Sequence, residues 1–76
     1  MRYCIILYLM KTFGARLKEL RIERKLSHTE LGKIIGVNGS TISRWENGVI
    51  SIKDEDLVRV AKFFGVKTDF LLGIED

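Results

Sequence analysis

The chain has 76 residues, which leaves room for one small domain. Nearly half of the residues (46%) are hydrophobic and none is proline, which excludes a disordered chain and favours a compact fold of short helices. Ten basic and four acidic residues give residues 1–53 a net charge of +6, whereas residues 54–76 carry −3, so the first part of the chain is the candidate polyanion-binding surface.

Chemistry-bearing residues are few. With one cysteine and one histidine, the chain cannot form an internal disulfide and has no Cys/His cluster for a metal, so we expect no metal and no cofactor. There is no Ser/His/Asp or Cys/His constellation and no Gly-rich phosphate loop. We therefore do not expect an enzyme.

The first residues form an apolar segment, YCIILYLM at positions 3–10, that gives way to charged sequence. A bilayer span needs about 20 apolar residues, and the segment has no small-residue cleavage site, so we expect a soluble, cytoplasmic protein without membrane association. We assign residues 1–12 to an N-terminal extension and residues 13–76 to the domain.

We expect the segment from Tyr3 to Leu9 to be a short β-strand that pairs with the same strand of a second copy, because a lone strand leaves its backbone groups unpaired. One alternative is a monomer in which the segment folds onto its own helices. Another is that the natural chain begins at Met10.

Apolar residues recur at helical spacing from Phe13, which predicts a first helix to about residue 25. The sequence SHTE at 27–30 matches a capping box, in which a serine hydroxyl and a glutamate carboxylate satisfy the amides at a helix start. It predicts a second helix that buries Leu31, Ile34 and Ile35. Gly36 then allows a sharp turn, since glycine adopts positive φ readily.

A third helix is predicted at about 38–47, capped by Asn38. At about 100° per residue, one side carries Asn38, Ile42, Trp45 and Glu46. The opposite side carries Ser40, Ser43, Arg44 and Asn47. We predict that the first side packs inward and the second reads DNA bases, with Arg44 as the best candidate because arginine bonds guanine bidentately. The alternative is an ordinary solvated helix face.

Two further helices complete the predicted all-α, five-helix domain. Asp54 caps the fourth, which presents Leu57, Val60, Ala61 and Phe64 on one face, and the fifth begins near Thr68. The pair of helices at 27–35 and 38–47, joined by a short turn, is typical of a helix-turn-helix unit whose second helix enters the major groove.

The stretches LKELRIERKLSHTELGKIIGVNGSTISRWENG and LVRVAKFFGVKTDFLLG resemble the Cro and repressor-type (XRE-like) helix-turn-helix family over about residues 13–73. The resemblance implies base contacts and phosphate contacts at defined positions. The base contacts fall on Gly39, Ser40, Ser43 and Arg44. The phosphate contacts fall on His28, Thr41 and Asn47, to which we add Lys53. The resemblance also implies a structural ion pair between Arg21 and Glu46.

The sequence departs from the family pattern at three positions. His28 stands where a glutamine is usual, so its phosphate contact is expected to depend on pH, with a solvent-exposed residue of no such role as the alternative. Gly32 replaces the usual alanine, which keeps the close approach of the two helices while weakening the second by up to about 1 kcal/mol. Ile52 replaces a common loop proline.

These observations favour a sequence-specific DNA-binding transcriptional regulator, a repressor-like homodimer on a near-palindromic double-stranded operator. The sequence does not separate a phage repressor from a restriction-modification controller or an antitoxin. A protein-interaction module that binds a toxin, an antirepressor or a signalling protein is the alternative from another class.

Overall fold

The computed structural model describes the backbone of residues 2–73 and the side chains of residues 12–73, and over that range it contains five α-helices and no strand. They are α1 (Arg2–Glu23), α2 (His28–Ile35), α3 (Gly39–Glu46), α4 (Asp54–Phe64) and α5 (Thr68–Leu72). The predicted all-α, five-helix architecture is confirmed.

The predicted N-terminal strand is wrong. Helix α1 runs from Arg2 to Glu23, so the backbone from position 3 to position 9 is helical and continues into the domain without a break. The sequence before Gly14 has no proline or glycine to stop a helix. Extending an existing helix adds one hydrogen bond per residue without a new nucleus, whereas a lone strand has no backbone partner.

The core lies where all five helices meet. Its buried hydrophobic residues are Phe13, Leu17, Leu31, Ile35, Ile42, Trp45, Val60, Ala61, Phe64 and Leu71. The spacing of these residues at i, i+3 and i+4 in each helix is what turns one apolar stripe of every helix towards the centre. Almost all of the predicted inward positions belong to this core or pack against it.

Ile34 is the exception among the apolar residues predicted to be buried, because 48% of it is exposed. Asn38, predicted on the inward side of the third helix, is exposed as well. Leu31 and Ile35 lie one turn apart on the same face of α2, and both belong to the core. Ile34 is rotated by about 100° from Ile35. In a helix of eight residues, that rotation moves the side chain to the edge of the buried stripe.

Two arginines contact the C-terminal helices: Arg16 in α1 and Arg24 in the turn directly after it. The guanidinium of Arg16 donates to the Phe70 carbonyl and lies 4.4 Å from the centroid of that residue's ring. The guanidinium of Arg24 lies 5.3 Å and 5.4 Å from the ring centroids of Phe63 and Phe64. Cation–π contacts of this kind contribute about 0.5 to 1 kcal/mol each at exposed sites. They link α5 to α1 and α4 to the turn that follows α1.

A search of the described helices for a segment long and apolar enough to cross a membrane finds none.

Candidate nucleic-acid interface

The turn between α2 and α3 is formed by the local sequence as predicted. The Ser27 hydroxyl accepts from the Glu30 amide at 3.0 Å, and the Glu30 carboxylate accepts from the Ser27 amide at 2.9 Å, which confirms the capping box at the start of α2. Helix α2 ends at Gly36, which adopts a left-handed conformation with φ of 98°. The chain therefore reverses within three residues, and α3 begins at Gly39.

Two glycines allow the backbones of α2 and α3 to touch. A Cβ atom on Gly32 would lie 2.5 Å from the Val37 carbonyl oxygen, and one on Gly39 would lie 2.9 Å from the Thr29 amide nitrogen. Both distances are shorter than real Cβ contacts, and both neighbours are main-chain atoms that cannot rotate away. The glycines thus fix how closely α3 approaches α2. Sequence reasoning expected this role for Gly32 but not for Gly39.

The inner face of α3 is fixed by apolar packing and by one ion pair. Ile42 is fully buried and Trp45 nearly so. Arg21 of α1 donates from Nε to Glu46 Oε2 at 2.7 Å and from Nη2 to Oε1 at 3.2 Å, in the bidentate arrangement that arginine and carboxylate favour. The Glu46 side chain is 4% exposed and that of Arg21 11% exposed, so the pair is largely desolvated.

The Glu46 carboxylate has a second partner residue, which sequence reasoning missed. His28, the first residue of α2, brings its Nε2 to 3.2 Å from Glu46 Oε1. The carboxylate is therefore contacted from α1 and α2 at once. The sequence suggested either a phosphate contact or a solvent-exposed residue at His28. Its contact with Glu46 depends on how α2 crosses α3, which no pattern within either helix predicts.

The outer face of α3 contains three of the four residues expected to contact bases. Ser40 and Arg44 are exposed and Ser43 is half-buried. Gly39 is half-buried, and a Cβ at this position would point towards Thr29 of α2. The Asn47 side-chain amide donates to the Ser43 hydroxyl at 3.4 Å, a long and weak bond that leaves both groups open to other partners. Apart from this contact, no described side chain covers the polar groups of that face.

The residues expected to contact phosphate are spread over α2, α3 and the residue before α4. Thr41 is half-buried in the first turn of α3, and Asn47 is exposed directly after its last residue. Lys53 is exposed and lies at the end of the loop, immediately before α4, so it is separate from α3 in the chain. His28 is 42% exposed at its side chain while it contacts Glu46.

Asn38 precedes α3, but its side chain makes no capping hydrogen bond. The prediction that it caps α3 through its side chain is therefore wrong. The prediction that Asp54 caps α4 is also wrong, because Asp54 is the first residue of that helix and Lys53 before it makes no side-chain capping bond. Helix α5 likewise begins without a side-chain cap. The tight approach of Gly39 to Thr29 explains the difference at α3, because the start of that helix is set by contact with α2.

Within residues 12–73, no group of three or more His, Cys, Asp or Glu side chains is placed to hold an ion.

Two short helices crossing at a glycine-containing turn, with the second presenting an exposed polar face, define a helix-turn-helix protein. The chain belongs to the helix-turn-helix family of XRE type, whose family model matches residues 17–71. Three curated relatives and one solved structure show what the chain is similar to.

The relatives are transcription regulators. The chain is 39% identical over 54 residues to the cryptic phage CTXphi transcriptional repressor RstR of Vibrio cholerae, covering 71% of this chain and 49% of that protein. It is 34% identical over 64 residues to the HTH-type transcriptional activator BcrR of Enterococcus faecalis, covering 84% and 31%. It is 32% identical over 59 residues to repressor protein C2 of Salmonella phage P22, covering 78% and 27%.

The chain thus spans half or less of the length of these curated relatives. Its fold matches the crystal structure of the P22 c2 repressor protein in complex with synthetic operator 9T, with a TM-score of 0.78 and 30% sequence identity. The match covers 83% of this chain and 96% of that one.

Proposed function

We propose that this protein is a sequence-specific DNA-binding transcriptional regulator that acts in the cytoplasm, is repressor-like and inserts α3 into the major groove of its operator. The observation that carries the proposal is the contrast across α3. Ile42, Trp45 and Glu46 fix the helix from inside, while Ser40 and Arg44 are exposed on the outside. A fixed helix with a free polar face is what direct readout requires.

Base readout is assigned to Gly39, Ser40, Ser43 and Arg44. Arg44 provides a guanidinium fork for the two acceptors of guanine, and the serine hydroxyls donate to or accept from several base edges. Gly39 has no side chain, and its Cβ position is closed by Thr29, so readout at the start of α3 is limited to backbone or water. We therefore expect Arg44 to supply most of the base discrimination.

Phosphate contacts are assigned to His28, Thr41, Asn47 and Lys53. Thr41 lies in the first turn of α3 and Asn47 directly after its last residue, while His28 begins α2 and Lys53 precedes α4. All four lie within the part of the chain whose net charge is +6. A hydroxyl, an amide and an ammonium are the ordinary donors to phosphate oxygens, and such contacts set the register of the protein on the duplex. The titratable imidazole is treated separately below.

We further propose that two copies bind one near-palindromic operator, because a single short helix reads few base pairs. In such a dimer the two α3 helices lie about 34 Å apart, one turn of DNA. The apolar segment from Tyr3 to Leu9, whose backbone is helical, is the proposed contact between copies. The double variant Ile6→Lys/Leu9→Lys should turn a dimer into a monomer, as measured by sedimentation of the full chain. A wild-type monomer both free and on DNA contradicts the dimer.

The decisive experiment selects bound duplexes from a random DNA pool with the full chain. A single enriched motif with two-fold symmetry supports both sequence-specific binding and the dimer. An enriched motif without symmetry supports readout by one copy alone. If no sequence is enriched and the logarithm of affinity does not change with the logarithm of salt concentration, the protein releases no counterions and is not a DNA-binding regulator.

Arg44→Ala should lower the preference for the selected base by about 1 to 3 kcal/mol, because the bidentate contact is lost. Arg44→Lys keeps the charge but not the planar fork, so it should lose preference while retaining most of the affinity for random DNA. Lys62→Ala, an exposed residue of α4, removes the same charge from another helix and serves as the control. An unchanged preference in Arg44→Ala removes Arg44 from the readout set.

A further inference from the structure

We propose that His28 is a proton-linked positioning residue: operator binding takes up a proton at its imidazole, and the protein binds DNA more tightly as the pH falls. This inference rests on the proposed function, since it concerns how the same surface meets phosphate. It is carried by the contact between His28 and the buried carboxylate of Glu46, in which Nε2 lies 3.2 Å from Oε1.

The contact fixes which ring nitrogen carries hydrogen. Both oxygens of the Glu46 carboxylate already accept from the Arg21 guanidinium, at 2.7 Å and 3.2 Å, so the carboxylate acts as an acceptor towards its other neighbours. His28 must therefore donate from Nε2. In the neutral imidazole the other nitrogen, Nδ1, then has a lone pair and no hydrogen.

A phosphate oxygen is also an acceptor, so it repels a neutral imidazole that is held in this tautomer. Protonation turns this repulsion between Nδ1 and the phosphate oxygen into a hydrogen bond, because the imidazolium donates from both nitrogens. Nε2 then keeps its bond to Glu46 while Nδ1 donates to phosphate. One ring links the ion pair inside the protein to the DNA backbone outside, and it can do so when protonated but not when neutral.

The location of His28 fits this role. It is the first residue of α2, the first helix of the motif, and in helix-turn-helix complexes the first helix crosses the DNA backbone. The side chain is 42% exposed, so part of the ring is open to a ligand while Nε2 is engaged. The Glu46 side chain, at 4% exposed, is too buried to approach DNA itself.

The charged groups around the imidazole come from three helices. Glu46 contacts it from α3, and Arg21 of α1 lies across the same carboxylate. In α2 the nearest carboxylate along the chain, Glu30, is engaged in the capping box with Ser27. From α4, Arg59 reaches the Ile35 carbonyl at the opposite end of α2. Glu46 is thus the one ion-pair partner of His28 within residues 12–73.

The chain contains a single histidine, so a histidine-dependent change of affinity with pH can be assigned to His28. Histidine is the side chain that ordinarily changes charge between about pH 5 and pH 8. Operator affinity is measured at fixed salt from about pH 5.5 to about pH 7.5, a range in which DNA phosphates stay ionised. We expect affinity to fall about tenfold across this range, which is the loss of roughly one hydrogen bond to a charged group.

His28→Gln is the matched variant, because its amide donates to Glu46 at every pH and never carries charge. It should bind the same operator with an affinity that does not change over the range. Calorimetry of the unmodified protein in buffers of different ionisation enthalpy gives the number of protons taken up, expected to average about half a proton per copy over this range, because a tenfold change in affinity over two pH units requires that uptake. Proton NMR of the single imidazole follows the same event without any variant.

The outcomes separate this inference from the proposed function. Operator binding with no proton uptake and a flat pH profile overturns the role of His28 and leaves DNA binding intact. A pH dependence that persists in His28→Gln also overturns it. Failure to bind any duplex at any pH overturns the proposed function together with this inference.

Discussion

The two faces of α3 are built in opposite ways. On the inner face, Ile42 and Trp45 are buried, and Glu46 accepts hydrogen bonds from two other helices. On the outer face, Ser40 and Arg44 are exposed and the one described side-chain bond is the weak contact between Asn47 and Ser43. The inner face determines where the helix lies, and the outer face is free to determine what it contacts.

The difference separates two kinds of substitution within eight residues of one helix. Inner substitutions should change the free energy of unfolding, and they affect binding because α3 moves. Outer substitutions should change binding while the free energy of unfolding stays the same. Measuring both quantities on the same variants tests whether the two faces are as independent as their contacts indicate.

Arg21→Leu should have the largest effect on stability. It leaves the Glu46 carboxylate buried and without its main partner, which costs about 3 to 5 kcal/mol in buried pairs. We expect a value near the lower limit, because His28 still contacts Oε1. Urea unfolding of the full chain measures the change. The double variant Arg21→Leu/Glu46→Leu should recover part of the loss, since no charge is then buried alone. If it is less stable than the single variant, the burial argument fails.

Gly14→Ala should have the next largest effect, of about 1 to 3 kcal/mol. A Cβ atom at this position in α1 would lie 2.4 Å from the Glu46 carbonyl oxygen, so α1 and α3 would have to separate. Helix propensity alone predicts the opposite sign, a gain of up to about 1 kcal/mol. Lys18→Ala, an exposed residue of the same helix, is the control and should change little. A stabilised Gly14→Ala variant would show that the two helices are not in close contact.

The sequence predicted the features that depend on neighbours along the chain. The capping box of Ser27 and Glu30, the left-handed turn at Gly36 and the inward position of Ile42 and Trp45 all follow from spacing within one segment. The resemblance to a known family supplied the pairing of Arg21 with Glu46, whose geometry the structure describes.

Features that depend on distances between helices were not predicted. The contact of His28 with Glu46 and the close approach of Gly14 to α3 arise from how whole helices cross, which no local pattern specifies. The N-terminal strand was wrong for a related reason, because apolar and β-branched residues are compatible with either conformation until the adjoining helix favours one. Asn38 illustrates the same limit at a helix start, where packing replaced the expected side-chain cap.

Arg44→Ala should leave the free energy of unfolding unchanged to within about 0.5 kcal/mol, because the side chain is exposed and makes no described contact that supports the fold. Its loss of base preference, described above, would then be a property of the outer face alone. Thermal unfolding of the variant measures this directly. A large loss of stability would show that the outer face also supports the domain.

The smallest expected effect on stability concerns the starts of α2 and α3. Helix α2 begins with a side-chain capping box, whereas α3 begins without a side-chain cap. The backbone amide of Ser27 donates to the Glu30 carboxylate, and the Ser27 side chain also contributes. Together they hold the pKa of Glu30 below its ordinary value of 4.5. A carboxyl whose pKa is lower in the folded state stabilises that state above its unfolded pKa, and the benefit is lost as the pH falls through the folded pKa. Helix α3 has no side-chain cap to lose.

Glu30→Gln should therefore be less stable than the unmodified protein at about pH 6, and the difference should shrink as the pH falls and Glu30 becomes protonated. Comparing the two proteins by urea unfolding at each pH cancels the other carboxyl groups, and Glu55→Gln, on an exposed residue of α4, controls for the loss of one charge. The difference is expected to be small because Glu30 is exposed. If the two stability profiles stay parallel through acid, the capping box contributes nothing that depends on charge.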